Sequence, residues 1–195
     1  MSPRTKEQFE NIRKERKLQI IEAALEVFAQ NGFHKASISE IAKEAGISKG
    51  LLYNYFQDKE ELLIEVMSGG ITYLLRAFTI ETNESAASQL KKMILKGFDL
   101  MDEDEKHWRL YFSAMMQPDV QQLVMAKLME SLLPVFDNLA KIFGKMGFEN
   151  PFHEARIFGA VLDGLGLNYM LDAETFPKEY CIKRLYEIYE LKETD

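Results

Sequence analysis

Apolar residues recur at three- and four-residue intervals along nearly the whole chain, and no stretch alternates over more than a few positions. The pattern predicts helices and argues against strands. Leu18, Ile21, Ala24, Leu25 and Phe28 mark a first helix that ends at Asn31-Gly32, while Phe9 and Ile12 leave its start open. Ser37, with Glu40 three positions on, forms a capping box for a short helix over 38–45, which Gly46 ends. Ser48 caps a second short helix over 49–55. Asp58, with Glu61, opens a long helix from Lys59 whose apolar stripe crosses Gly69-Gly70, where a bend is expected. Further helices are predicted over 85–101, 105–117, 120–146, 152–172 and 178–192, with Pro134 expected to kink or split the 120–146 helix. The sum is an all-α chain of about nine helices.

Composition narrows the class without naming a function. Hydrophobic residues make up 47% and charged residues 28% of the 195, an ordinary globular balance. The single cysteine, Cys181, excludes an internal disulfide framework and a cysteine-based zinc module, and a reducing, cytoplasmic location is the expectation. No run is long and apolar enough for a membrane span, and no secretory signal is expected. The net charge of -7 argues against nucleic acid until its distribution is considered: residues 1–56 carry nine Lys/Arg against seven Asp/Glu, and the rest carry fifteen against twenty-four. A basic amino end on an acidic body fits a unit that approaches polyanions.

Residues 37–56 are the informative stretch. Two short capped helices joined by Gly46-Ile47-Ser48 can bury Ile38, Ile41, Ala42, Ile47, Leu52 and Phe56 against Ile21, Leu25 and Phe28. This is the grammar of a helix-turn-helix, whose second helix enters the major groove of duplex DNA. That second helix offers Ser48, Lys49, Tyr53, Asn54 and Tyr55, with Gly50 leaving room for close approach. Lys59 opens the next helix against the macrodipole, a placement that an external phosphate would offset.

Gly32-Phe33, Ser37-Ile38, Ile41-Ala42, Ala45-Gly46-Ile47-Ser48, Lys49-Gly50, Leu52-Tyr53, Tyr55-Phe56 and Lys59-Glu60-Glu61-Leu62 together resemble the signature of TetR-family transcriptional regulators over residues 18–66. Leu162-Asp163-Gly164-Leu165 is a weaker echo, similar to the dimer-helix segment of many members. The resemblance implies a DNA-binding domain over 1–58 and an effector-binding and dimerisation domain over 59–195. It implies phosphate contacts from Ser37, Ser48, Tyr53, Tyr55 and Lys59, with Lys49, Gly50 and Asn54 nearest base edges. It further implies a homodimer on double-stranded DNA with an inverted-repeat operator, probed by recognition helices about 34–36 Å apart, and release by a small-molecule effector. Ala36 and Leu51 stand where the family often has Thr, which bears on operator identity; Leu51 can meet a thymine methyl group. The basic arm, Arg4, Lys6, Arg13, Lys14, Arg16 and Lys17, would add phosphate or minor-groove contacts.

In the body, Phe78, Phe98, Trp108, Tyr111, Phe112, Met115, Met116, Phe136 and Phe158 are candidates for an apolar ligand pocket, or else ordinary core. Val161, Leu162, Leu165, Tyr169, Leu185, Ile188 and Tyr189 are candidates for a dimer interface, with Gly159, Ala160, Gly164 and Gly166 allowing close helix approach. His34, His107 and His153 lack metal-ligand spacing, so no metal or cofactor is expected. The acidic run Asp102 to Glu105 beside His107 reads as a solvated helix boundary. No nucleophile–base frame or phosphate loop supports an enzyme. A second reading keeps the helical dimer as a small-molecule or protein-binding module with a degenerate DNA face; Ala36, Leu51 and the acidic total motivate it.

Overall fold

The computed structural model describes residues 6–77 and 84–191, and over 71–77 the backbone alone. Every regular element among the described residues is an α-helix: α1 (Lys6–Asn31), α2 (Ile38–Glu44), α3 (Lys49–Tyr53), α4 (Lys59–Ala77), α5 (Ala86–Glu103), α6 (Glu105–Met115), α7 (Pro118–Lys145), α8 (Pro151–Leu171) and α9 (Lys178–Ile188). Among the described residues the expected all-α class and the count of about nine helices both hold. None of these helices is long and apolar enough to cross a membrane.

The chain divides into two compact units, Met1–Gly70 with Leu110–Lys127, and Ile71–Arg109 with Leu128–Asp195. That division differs from an expected cut between 58 and 59. The first turns of α4 stay with the first unit, where Leu62, Leu63, Val66 and Met67 are buried, and so do the end of α6 and the start of α7.

The first unit is built on the second half of α1, which buries Ile20, Ala23, Ala24, Leu25, Val27 and Phe28. α2 packs on α1, and α3 on α2. Phe33, Ala36, Ile41, Ala42, Ala45, Leu52 and Phe56 complete its apolar interior. The first half of α1 is a different surface: Phe9 and Ile12 are exposed, and the helix continues back to Lys6 as a projecting basic rod. Gly46, at φ +62°, lets α2 turn sharply into α3.

The Gly69-Gly70 pair does not interrupt α4, which runs through both residues. Gly70 serves close packing instead. The Tyr111 ring lies against it, so a Cβ placed there would sit 2.3 Å from a ring carbon, and the Tyr111 hydroxyl donates to the Met67 carbonyl at 3.2 Å. Pro134 likewise fails to split α7, whose helical assignment is unbroken from Pro118 to Lys145. Pro134 stands on an exposed side of the helix, where water can meet the carbonyl that loses its helical donor.

The second unit centres on Leu90, Met93 and Ile94 of α5, Leu139, Ile142 and Phe143 of α7, Ala155 and Phe158 of α8, and Leu185 and Tyr189 at the end of the chain's last helix. Rings of Phe143, Phe158 and Tyr189 meet at centroid distances of 5.3–5.7 Å. A polar fastener joins α5, α8 and α9: the Asp102 carboxylate accepts from the Tyr169 hydroxyl and from the Lys178 ammonium. Burial pushes the Asp102 carboxyl up, but those two hydrogen bonds and the lysine charge outweigh it and hold it below its usual range. The hydrogen bond to Asp102, reinforced by burial, pushes the Tyr169 phenol up to about 12. The acidic run is a helix boundary, as expected: α5 ends at Glu103, the Asp104 carboxylate accepts the His107 N–H at 3.0 Å, and Glu105 pairs with Arg109.

Replacing Gly70 by alanine should force the Tyr111 ring out of place. We expect a loss of about 1–3 kcal/mol in chemical denaturation, the usual cost of overpacking, whereas Gly69→Ala, which meets open space, should not destabilise.

Candidate nucleic-acid interface

Two serines fix the short helices. The Ser37 hydroxyl accepts the Glu40 N–H at 3.2 Å and donates to the Glu40 carboxylate at 2.8 Å, which also accepts the Ser37 N–H at 2.8 Å. This reciprocal box satisfies the first donors of α2. The same hydrogen bonds hold the Glu40 carboxyl below its usual range. They also commit the Ser37 hydroxyl proton to Glu40, so a phosphate at Ser37 would compete with a carboxylate already in place. The Ser48 hydroxyl accepts the Leu51 N–H at 3.2 Å and keeps its own proton for an outside acceptor.

α3 presents two faces. Leu52 and the following Phe56 are buried, while Ser48, Lys49, Gly50, Tyr53 and Asn54 are exposed together. Tyr53 is 47% exposed, high for an aromatic residue, and Lys49 stands 5.9 Å from its ring centroid. No atom lies within 4 Å of where a Gly50 Cβ would be, so another surface can approach the backbone there. Leu51 is half-buried. Tyr55 is half-buried beneath the Arg13 guanidinium, 5.2 Å from its ring centroid, and Arg13 donates to the Asn54 carbonyl at 3.5 Å. The projecting half of α1 therefore brings a cation to the end of α3. Other groups of the arm are engaged within the first unit: Lys17 pairs with Glu65 at 2.6 Å, and Arg16 donates to Gln19 at 2.8 Å. Arg4 lies outside the described residues.

Lys59 is placed differently from the sequence expectation. Its ammonium donates to the carbonyls of Phe33 at 2.6 Å, Ala36 at 2.9 Å and His34 at 3.3 Å, and sits 4.4 Å from the centroid of the Phe33 ring. An ammonium has three donors. All three serve the loop between α1 and α2, whose carbonyls offset the charge that opposes the α4 dipole. A phosphate nearby would feel the charge, but a donated hydrogen bond to it would have to displace one of these carbonyls.

The remaining candidates divide between the two units. Phe78 lies outside the described residues. Tyr111, Phe112, Met115 and Met116 fall in the first unit, and Phe98, Trp108, Phe136 and Phe158 in the second. Met116 is exposed. Trp108 is fully buried, and its indole N–H donates to the Leu100 carbonyl at 2.9 Å. Phe98 packs with Tyr169 and Phe176, whereas Phe158 packs with Phe143 and Tyr189. Among the dimer candidates, Leu185 and Tyr189 are buried in the chain's own core, which corrects their assignment to an outward face: α9 turns them toward α5, α7 and α8. Leu162 and Leu165 are half-buried against that core. Tyr169 is tied to Asp102. Val161 and Ile188 are exposed. Sequence reasoning missed Gln117, whose amide bonds the end of α1, because a glutamine before a helix-opening proline carries no distinguishing pattern. Among the described residues, no cluster of three or more His, Cys, Asp or Glu side chains is placed to hold a metal.

Comparison with known proteins agrees with this geometry. Residues 20–66 match the model of the bacterial regulatory proteins, tetR family. The chain is 30% identical over 186 residues to an HTH-type transcriptional regulator BetI of Pseudomonas fluorescens, covering 91% of this chain and 92% of that one. It is 37% identical over 89 residues to a fatty acid metabolism regulator protein of Bacillus subtilis, spanning 45% of this chain and 46% of that relative. Among solved structures, the fatty acid degradation regulator FadR of Bacillus halodurans superposes with a TM-score of 0.72 at 22% identity over 89% of this chain and 94% of that chain. The FadR of Bacillus subtilis, solved with stearoyl-CoA, gives 0.68 at 22% identity over 88% and 96%. At that identity the superpositions establish the fold.

Lys59→Met removes the donor to the Phe33, His34 and Ala36 carbonyls while keeping most of the aliphatic stem. We expect a loss of about 1–3 kcal/mol in stability, measured by urea denaturation, with accelerated amide exchange over residues 33–37. Unchanged stability would mean that the ammonium does not hold the loop.

Proposed function

The chain belongs to the tetR family of bacterial regulatory proteins and is a DNA-binding transcriptional regulator; from that premise we propose that it is a homodimeric repressor which leaves an inverted-repeat operator when a long-chain acyl ligand enters its second unit. The observation that carries the DNA-binding half is the two-faced α3. Five consecutive-turn residues, Ser48, Lys49, Gly50, Tyr53 and Asn54, face solvent on a helix whose other face is locked into a buried core. A polar face fixed on a rigid support is what base readout requires, because each side chain must meet a particular base edge. Lys49 and Asn54 supply the donors that read bases, Ser48 and Tyr53 the hydroxyls that meet phosphates, and Arg13 an adjoining cation.

Exposed apolar residues on α8 and α9 support the dimer. Ile157, Val161, Gly164 and Leu171 follow one another on α8 at spacings of four, three and seven residues, which keeps them on one helical face; the three apolar side chains are exposed, and Gly164 opens onto empty space. Ile188 and Tyr180 of α9 are exposed as well. A second copy presenting the same two helices would bury these residues in a four-helix bundle, which would set two α3 helices about one DNA turn apart. The acyl class of ligand rests on the fatty acid regulators among the relatives, one of them solved with stearoyl-CoA, and on the aromatic interior of the second unit.

Selection from a random duplex library should enrich a palindrome, with binding that weakens steeply as salt rises. Lys49→Ala and Asn54→Ala should each cost about 1–3 kcal/mol on the selected site and relax preference there. Stearoyl-CoA should release the complex in a gel shift, and octanoyl-CoA should do so less. Failure to enrich any sequence would overturn the regulator reading; release by neither thioester would overturn the acyl assignment alone. Ile157→Arg, a charge placed on the exposed face of α8, should yield monomers in sedimentation and abolish palindrome binding without loss of helicity; an unchanged dimer would move the interface elsewhere.

A further inference from the structure

The ends of α1 and α2 are built from the same parts but closed differently. At α2, Gly46 is left-handed, its N–H donates to the Lys43 carbonyl at 3.1 Å, and the next N–H, of Ile47, reaches back to the Ala42 carbonyl at 2.9 Å. This is a complete glycine-ended terminus with both backbone bonds in place. At α1, Gly32 is left-handed too, with φ +79°, and its N–H donates to the Phe28 carbonyl at 3.0 Å. The next N–H, of Phe33, does not close on Phe28. It donates to the Gln117 Oε1 at 2.9 Å, and the Gln117 Nε2 in turn donates to the Phe28 carbonyl at 2.9 Å. A side-chain amide has stepped into the bond that would otherwise complete the helix end.

Phe33 is also held from its other side. Its carbonyl accepts from the Lys59 ammonium at 2.6 Å, its ring lies 4.4 Å beneath that ammonium, and the ring centroid is 5.5 Å from that of Phe28. The Gly32 carbonyl accepts the Ala36 N–H at 3.1 Å, and Ser37, the cap of α2, follows directly. One buried residue thus joins Gln117 to the start of α4 and to the start of the helix-turn-helix. Asp119, two positions beyond Gln117, faces His34 at 2.9 Å and anchors the same corner.

We propose that the α1 terminus has two arrangements, Gln117 inserted and Gln117 withdrawn, and that insertion is what positions the reading helices for sequence-specific DNA contact. The proposal rests on the DNA-binding reading above. The terminus is suited to two states because each satisfies its backbone groups. With Gln117 withdrawn, the Phe33 N–H can bond the Phe28 carbonyl directly, as Ile47 bonds Ala42, and no buried polar group is stranded. The exchange shifts Phe33, and with it the carbonyl and ring that Lys59 grips and the loop that leads into Ser37. Gln117 lies between α6 and α7, and each of these helices continues along the chain into the second unit. A displacement of either helix along its axis therefore moves the amide in or out. Gln117 is a positioning residue; it touches no DNA in this scheme.

The test compares wild type, Gln117→Leu and Gln117→Glu. Leucine keeps the bulk and removes both hydrogen bonds; glutamate keeps an acceptor for Phe33 and removes the donor to Phe28. Two measurements are made on each: affinity for the selected palindrome and for a scrambled duplex at one salt concentration, and backbone amide shifts and exchange by NMR. The expected result for Gln117→Leu is about a tenfold loss on the palindrome, within the usual range for coupled sites, with scrambled-duplex affinity unchanged. The Phe33 amide should stay protected in a new position, and shifts should change through Ser37 to Asn54. Gln117→Glu should move in the same direction to a smaller extent, which guards against a folding defect in the leucine variant. Palindrome affinity unchanged, or an unprotected Phe33 amide with no shift beyond Ala36, would make Gln117 a simple helix cap and overturn the proposal. Should wild type prefer no sequence at all, the regulator reading fails on that ground, and the amide shifts over Ser37–Asn54 still decide whether residue 117 controls the head.

Discussion

A backbone amide buried away from water must be paired, and in this protein the demand falls hardest on the loop between α1 and α2. Residues Phe33 and Ala36 are buried but lie in no helix, so the ladder that satisfies polar groups elsewhere does not reach them. Side chains from distant positions supply the partners: Lys59 gives three donors to the loop carbonyls, and Gln117 gives an acceptor to the Phe33 N–H. The arrangement of α1, α2 and α4 follows from that pairing. A loop whose carbonyls are met by Lys59 and whose Phe33 N–H is met by Gln117 takes this shape only when both parts of the chain are in place.

The same dependence explains why α3 can be short. Five residues are far too few to hold a helix in water, where nucleation outweighs the few bonds gained. Leu52 and Phe56 in the core, the Ser48 cap and the closed Gly46 terminus together hold it. The exposed face inherits its rigidity from the buried one. Nothing in the polar residues themselves fixes their relative positions, so the precision of Lys49 and Asn54 as base readers is a property of the apolar packing beneath them.

Much of this was legible in the sequence, and the failures share a cause. Caps and glycines act through neighbours in the chain, so Ser37-Glu40, Ser48, Gly46 and the all-α class could be inferred from local chemistry alone. The exposed and buried faces of α3 followed from period and composition. What escaped depends on contacts distant in sequence. The close-packing role of Gly70 becomes visible only when Tyr111, forty-one positions on, is seen to occupy the space that a side chain would need. Lys59 looks like a phosphate ligand until the carbonyls of Phe33, His34 and Ala36 are found around it. Leu185, Ile188 and Tyr189 lie within five residues at the end of α9 and its cap, and only the fold decides that the first and last face inward while Ile188 faces out. Pro134 does not split α7, because the cost of an interior proline depends on whether water reaches the carbonyl it leaves unpaired, and that is a property of the helix face.

These observations bear on how a small event in one part of such a protein can alter affinity in another. Coupling of ordinary size requires only about 1–3 kcal/mol between two states, so it does not call for breaking a core. It calls for an element with two nearly equal ways of satisfying the same groups. Packed apolar interiors rarely offer this, because a displaced side chain leaves a void or a clash. A helix terminus does offer it, since its last N–H and C=O groups can be met by the backbone itself or by a visiting amide at similar cost. The α1 terminus, with Gln117 standing where a direct Phe33–Phe28 bond would otherwise form, has that character, and the neighbouring α2 terminus shows the alternative already realised in the same fold.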